Sequence, residues 1–242
     1  MNPIPDTTPL FDEPILGPAT RFCIDRMGDV AGKRALDLGC GRGDVSLFLA
    51  SRGARVVGLD RRAALFPAAA SSAPHVEPVT FVEGEAESLP FEDASFDVVF
   101  CRSALQYMDF PRASAEIERV LRPGGSLHLV HNLPGNAFAR AFRALRPLLA
   151  TRAEHRDYVR SIQGYASREQ VLLRFSRFAT VEERSYHLFR FLTAGVDSAA
   201  GRPITPRILD RSAAALDSTL LGRFPELGRF AWIAAFSFRG YR

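Results

Sequence analysis

Leu36-Asp37-Leu38-Gly39-Cys40-Gly41-Arg42-Gly43-Asp44 is the stretch that decides the fold. Arg34 to Gly39 is a short apolar run that ends in glycines. From Asp44 to Arg52, Val45, Phe48 and Leu49 share one helical face, with Gly53 as a stop. The stretch is therefore a tight turn between a buried strand and a helix. Glycine in such a turn lets the backbone approach a ligand closely, and the helix N-terminus offers free N–H groups to an anion. Ala54 to Asp60 reads as the next buried strand and ends in an acid 21 positions after Gly39. A carboxylate there can accept both hydrogen bonds of a ribose diol. Dinucleotide and adenosyl sites share these two features, and spacing separates them. The third glycine of a dinucleotide fingerprint would fall at position 44, where Asp44 would repel a pyrophosphate.

Outward from the turn, strand and helix signals alternate. An Ala-rich helix closed by Pro74 follows Asp60. Val79–Val82 reads as a third strand and Phe96–Phe100 as a fourth. Pro111–Leu121 is helical, with Ile117, Val120 and Leu121 inward, and Pro123-Gly124-Gly125 turns the chain into a fifth strand, Ser126–His131. Buried strands alternating with helices predict a parallel sheet covered on both faces. Beyond residue 132 the rhythm changes. Phe138, Phe142, Leu145 and Leu149 form a helical stripe. Ser167-x-x-Gln170 is a capping box opening a helix with Val171, Leu172 and Phe175 inward. Residues 179–191 read as a strand. Thr205-Pro206 starts a helix carrying Leu209, Leu216 and Leu220, which Gly222 stops, and Phe230–Phe238 is a last strand. The chain divides into an N-terminal helical segment (1–32), a core (33–132), a cap insertion (133–165), a helix and strand completing the sheet (166–191), a second cap insertion (192–228) and the last strand (229–242).

Composition narrows the class. The chain has 242 residues, 47% of them hydrophobic, enough for a core that needs no metal or disulfide staple. Charged residues at 24% and aromatics at 10% exclude a disordered or collagen-like chain. Cys23, Cys40 and Cys101 are scattered, with no CxxC spacing, which argues against a disulfide framework and a zinc site. The polar, Pro-rich start has no signal-peptide pattern and no apolar run is long enough to span a bilayer, so a cytoplasmic protein is expected. The net charge of +4 hides a split: 13 basic and 18 acidic residues over 1–132, against 18 basic and 9 acidic over 133–242. Lys33 is the only lysine.

Three segments together resemble the class I S-adenosylmethionine-dependent methyltransferases, in particular the small-molecule branch with ubiquinone/menaquinone methyltransferase-like domains. They are Leu36–Gly43 with Asp60, then Gly84-Glu-Ala-Glu-Ser-Leu-Pro-Phe91 followed by Ser95–Val99, then Glu118-Arg-Val-Leu-Arg-Pro-Gly-Gly125. The resemblance implies a doubly wound, Rossmann-like α/β fold: a seven-stranded, mostly parallel sheet with an antiparallel C-terminal strand and a helical cap from the insertions. It implies S-adenosylmethionine as cofactor, S-adenosylhomocysteine as product, and no metal. The backbone of Gly39, Cys40 and Gly41, with Asp37 behind, would cradle the methionine part. Asp60 would hold the ribose, and Arg61 would lie beside the adenine. Glu85, where the family usually has Asp, would take the adenine amino group, and Ala86 would offer its N–H to the ring. Cys101 and Arg102 would border the methionine and methyl side.

Methyl transfer is an in-line displacement that needs alignment and exclusion of water. A base is needed only for a hydroxyl or acidic-carbon acceptor. His131 is the candidate base, because it closes the fifth strand and ligands sit beyond the carboxyl ends of such strands. Tyr107 would position the acceptor. His128 lies within the strand and is expected to be packed; His155 and Tyr158 fall in the cap. Cys101 has no preceding proline, so the covalent cytosine-C5 route fails; the Asn/Asp-Pro-Pro-aromatic motif is absent, and the cysteines do not suggest an arsenic site. The leading expectation is transfer to O, N or C of a small-molecule acceptor, with no nucleic-acid partner, by a monomer or homodimer. An RNA methyltransferase using the basic half, a non-enzymatic cofactor-binding protein and a lipid or quinone acceptor are the alternatives. The basic cap is expected either to make the site mouth positive or to be a solvated outer face.

Overall fold

The computed structural model describes residues 8–65, 79–134, 162–190, 192, 193, 197 and 205–242. Seven strands form one sheet: β1 (Arg34–Leu38), β2 (Arg55–Asp60), β3 (Thr80–Glu83), β4 (Phe96–Arg102), β5 (Leu121–Asn132), β6 (Phe178–Tyr186) and β7 (Ile233–Tyr241). Their order is β3-β2-β1-β4-β5-β7-β6. The first five are parallel, and β7 runs antiparallel between β5 and β6. The strands read as continuous apolar runs because both faces are covered. On one face Leu36, Leu38, Val99, Leu127 and Phe236 pack against α4 (Phe110–Val120) and α5 (Arg168–Arg174) through Ile117 and Val171. On the other, Ala35, Val56, Val98, Phe100 and Ala235 meet α2 (Gly17–Met27) and α3 (Asp44–Ser51) through Phe22, Cys23, Val45 and Leu49. A short α1 (Thr8–Asp12) precedes α2, and α6 (Arg207–Arg223) links β6 to β7. No described helix is long and apolar enough to cross a membrane.

The capping box forms as the sequence predicts: Ser167 Oγ accepts the Gln170 N–H at 3.2 Å, and Gln170 Oε1 accepts the Ser167 N–H at 2.7 Å. Three other expectations are corrected. Pro123-Gly124-Gly125 does not precede the fifth strand but lies within β5, where the register against β4 shifts between Phe96 and Val98. A Cβ on Gly125 would stand 2.8 Å from the Arg122 carbonyl oxygen and 3.1 Å from that of Asp97, so the glycine serves close strand approach. The sixth strand ends at Tyr186 rather than 191, because His187 turns to φ 67 and its Nε2 lies 2.8 Å from the Ile15 carbonyl oxygen. Gly222 does not stop α6, which runs on to Arg223, and Leu209 and Leu216 are exposed. The inward residue is Asp217, whose carboxylate accepts the N–H groups of Phe189 (2.8 Å) and Arg190 (3.1 Å). Leu220 packs against the core beside this polar anchor. The Ala-rich stretch before Pro74, the Phe138–Leu149 stripe, His155 and Tyr158 lie outside the described residues.

Arg119 on α4 fixes the loop after β3. Its guanidinium donates to the carbonyl oxygens of Leu89 (3.0 Å) and Phe91 (2.7 Å) and to Asp93 (2.8 Å) and Glu116 (2.7 Å). Glu116 in turn accepts the Leu89 N–H at 2.7 Å. Arg119→Met is expected to lower the unfolding free energy by about 2 kcal/mol, the scale of hydrogen bonds to a charged group, measured as a lower urea midpoint.

Candidate active site

The turn after β1 folds across the end of β2. The N–H groups of Gly39 and Cys40 both donate to the Leu59 carbonyl oxygen, at 2.7 and 3.0 Å. Gly39 has φ 72, and a Cβ there would stand 2.3 Å from the Ala104 Cβ, so the position needs glycine for both conformation and space. Asp60, at the end of β2, is held by the same turn: its Oδ2 accepts the Gly41 N–H and its Oδ1 the Arg62 N–H, each at 3.0 Å. Each carboxylate oxygen keeps a lone pair for a ligand. Asp37 lies behind the turn, buried, with Oδ2 accepting the Ser46 hydroxyl at 2.6 Å. Burial pushes its carboxyl up to about 6, against the opposing pull of that hydrogen bond.

These groups line a cavity of about 270 Å³ at the carboxyl ends of β1, β2 and β4. Of the residues singled out from sequence, Asp37, Gly39, Cys40, Gly41, Asp60, Arg61, Glu85, Ala86, Arg102 and Tyr107 all stand on its wall. Cys101 and His131 do not. The alternation of β4 turns Cys101 into the apolar core on the α4 face, where burial pushes its thiol up to about 12, and leaves its neighbour Arg102 at the cavity. His131 is buried, with Nε2 2.9 Å from the Ala166 carbonyl oxygen. His128 is packed as expected: burial holds its ring down at about 3. Burial and the nearby Asp37 and Asp60 carboxylates push the Cys40 thiol well above its ordinary range, which suits a packing residue.

Several wall residues escaped the sequence reading. Leu16 comes from the segment between α1 and α2, which no local pattern assigns to the site. That segment is tied down by Arg102, which donates to Thr20 Oγ1 (3.0 Å) and Glu13 (3.3 Å). Ser103 follows the last residue of β4 with φ 52, and its Oγ accepts the side-chain amides of Asn132 (2.5 Å) and Gln106 (3.2 Å). A polar residue just past a strand's carboxyl end was the available signal. Among the described residues no His, Cys, Asp and Glu cluster is placed to hold a metal ion.

A glycine turn that no side chain can enter, a fixed carboxylate at the next strand end and an adjoining cavity suit a ribose-bearing ligand, and on this sheet they define a class I S-adenosylmethionine-dependent methyltransferase. Residues 36–129 match the family described as methyltransferase domain. A demethylmenaquinone methyltransferase of Clavibacter sepedonicus is 33% identical over 198 residues, covering 74% of this chain and 78% of the relative. A phthiotriol/phenolphthiotriol dimycocerosates methyltransferase of Mycobacterium ulcerans is 35% identical over 198 residues, covering 72% of each. The YcgJ protein from Bacillus subtilis shares the fold, with a TM-score of 0.61 and 24% identity over 93% of this chain and 98% of that one. The chain belongs to the S-adenosylmethionine-dependent methyltransferase family, in its small-molecule group.

Gly39→Ala is expected to cost about 3 kcal/mol, from the left-handed conformation and the overpacking against Ala104 together. Adding Ala104→Gly is expected to recover the steric share only, read as partial restoration of the urea midpoint.

Proposed function

We propose that this enzyme methylates oxygen, nitrogen or carbon of a small, largely apolar biosynthetic acceptor by in-line displacement. The observation that carries the reading is the Asp60 carboxylate, on the cavity wall and held by one backbone N–H on each oxygen, from Gly41 and Arg62. In this reading Asp60 holds the ribose diol, and Arg61, Glu85 and Ala86 meet the adenine. Gly39, Cys40, Gly41 and Arg102 surround the methionine part. The buried carboxyl of Asp37 on the cavity wall fits a cationic ligand. Bound S-adenosylmethionine supplies a methyl group activated by its sulfonium charge. The protein aligns the acceptor and excludes water: Tyr107, Met108 and Leu16 give the cavity its less polar wall. Both lone pairs of Ser103 Oγ face amide donors, so its own hydrogen is left for a ligand oxygen. His131 is not assigned the base role, since its ring sits behind the wall against Ala166.

The relatives' names, a demethylmenaquinone and a phthiotriol methyltransferase, support an acceptor that is apolar and oxygen-bearing. RNA is not favoured. Four arginines of the basic half are neutralised within the fold: Arg168 by Glu183, Arg174 by Glu118, Arg190 by Asp210 and Arg239 by Glu182.

Asp60→Ala is expected to weaken S-adenosylhomocysteine binding about a hundredfold, since two hydrogen bonds to a charged group are lost; unchanged affinity in calorimetric titration would reject the site. Asp37 supplies the pH test. A cationic ligand favours its ionised form, so S-adenosylmethionine binds more tightly above pH 6 and about tenfold more weakly at pH 5. Asp37→Asn is expected to flatten that profile.

A further inference from the structure

A second cavity, of about 640 Å³, shares no lining residue with the cofactor site. The N-terminal segment that gives Leu16 to the cofactor cavity gives Phe11, Pro18 and Arg21 to this one. Its other walls are the end of β6, including Arg184, Tyr186 and His187, and the inner side of α6, including Asp217 and Leu221. Most of its polar groups are engaged within the protein. Asp217 accepts the N–H groups of Phe189 and Arg190. Arg190 is paired with Asp210, Glu183 with Arg168, and His187 Nε2 meets the Ile15 carbonyl.

Two charges remain. Arg21 and Arg184 are exposed, and neither has an ion pair among the described residues. Each lies over an aromatic ring of the cavity: the Arg21 Cζ is 4.5 Å from the Phe11 centroid and the Arg184 Cζ 5.7 Å from that of Tyr186. Stacking orders a guanidinium while leaving its N–H edge free for a planar anion. Leu221 and Pro225 add apolar surface beside the rings. A cationic ligand would find both carboxylates of the cavity already engaged.

We propose that this cavity binds an amphipathic carboxylate: Arg21 and Arg184 take the charged head, and Phe11, Tyr186, Leu221 and Pro225 take the apolar body. The site stands apart from the cofactor pocket and does not depend on the reading of that pocket.

The test is calorimetric titration of the full chain with sodium decanoate, followed also by the fluorescence of Trp232. That residue is the chain's one tryptophan, and its backbone N–H donates to the carbonyl oxygens of Tyr186 and His187 at 3.2 and 3.0 Å. One saturable decanoate per chain is expected, retained at saturating S-adenosylhomocysteine, with no saturable binding of decyltrimethylammonium. Arg21→Ala with Arg184→Ala is expected to weaken decanoate at least tenfold. Gly222→Phe offers a second variant. Gly222 lines the cavity and a Cβ there meets nothing within 4 Å, so the ring enters open space and displaces the ligand. Circular dichroism and S-adenosylhomocysteine affinity report whether each variant is folded. No saturable decanoate binding, native affinity in the double-arginine or Gly222→Phe variant, saturable binding of the cation, or loss of decanoate when S-adenosylhomocysteine is bound would each overturn the proposal.

Discussion

One carbonyl oxygen, that of Leu59, organises the site. By accepting the N–H groups of both Gly39 and Cys40 it pulls the turn after β1 across the end of β2. The fold back brings the Gly41 N–H to the Asp60 carboxylate and presses Gly39 against Ala104, the residue that opens the 3₁₀ turn after β4. Three strand ends thereby meet at one glycine turn, whose backbone reaches the Leu59 carbonyl, the Asp60 carboxylate and the Ala104 methyl. Side chains then decorate a frame that is already rigid: Asp37 from beneath, Glu85 and Ala86 from the loop that Arg119 clamps, Arg102 from β4. Catalytic alignment favours this design, since an in-line transfer is sensitive to displacements of about an ångström.

The parallel half of the sheet was legible because its signals are local. Apolar runs, two of them ending in glycine or acid, gave β1, β2 and β4 to within a residue or two, and ten of the twelve site positions read from sequence stand on one cavity. The failures have physical causes. Cys101 and Arg102 are adjacent in sequence, but a strand points neighbours to opposite faces, so only one of them reaches the cavity. In α6 only Leu220 of the three leucines packs against the core, and the buried residue of that helix is Asp217, which receives two backbone N–H groups. Leu16 carries no local mark at all. Its place on the wall depends on Glu13, Thr20 and Arg102 meeting across some 80 to 90 positions of chain.

The charge split also takes a different form in space. The arginines on the cofactor cavity, Arg42, Arg61, Arg62 and Arg102, all belong to the acidic half of the sequence. Several arginines of the basic half are spent on ion pairs within the fold, and at the antiparallel edge Glu182 alone meets Arg26 and Arg239. The abundance of phenylalanine has a similar explanation. Phe175, Phe178, Phe236 and Phe238 contact one another, with Phe175–Phe238 centroids 5.4 Å apart, and cement α5 to β6 and β7.

The N-terminal segment bears on the timing of assembly. It is synthesised before the sheet it packs on, yet its anchors are Arg102, 89 positions beyond Glu13, and His187, 172 positions beyond Ile15. Contacts so distant in sequence are closed late in folding, after the local strand–helix units have formed. The glycine turn and Asp60 exist once β1 and β2 pair, but the wall that carries Leu16 waits for the final third of the chain. A nascent methyltransferase therefore holds its glycine turn and Asp60 long before it can enclose anything there.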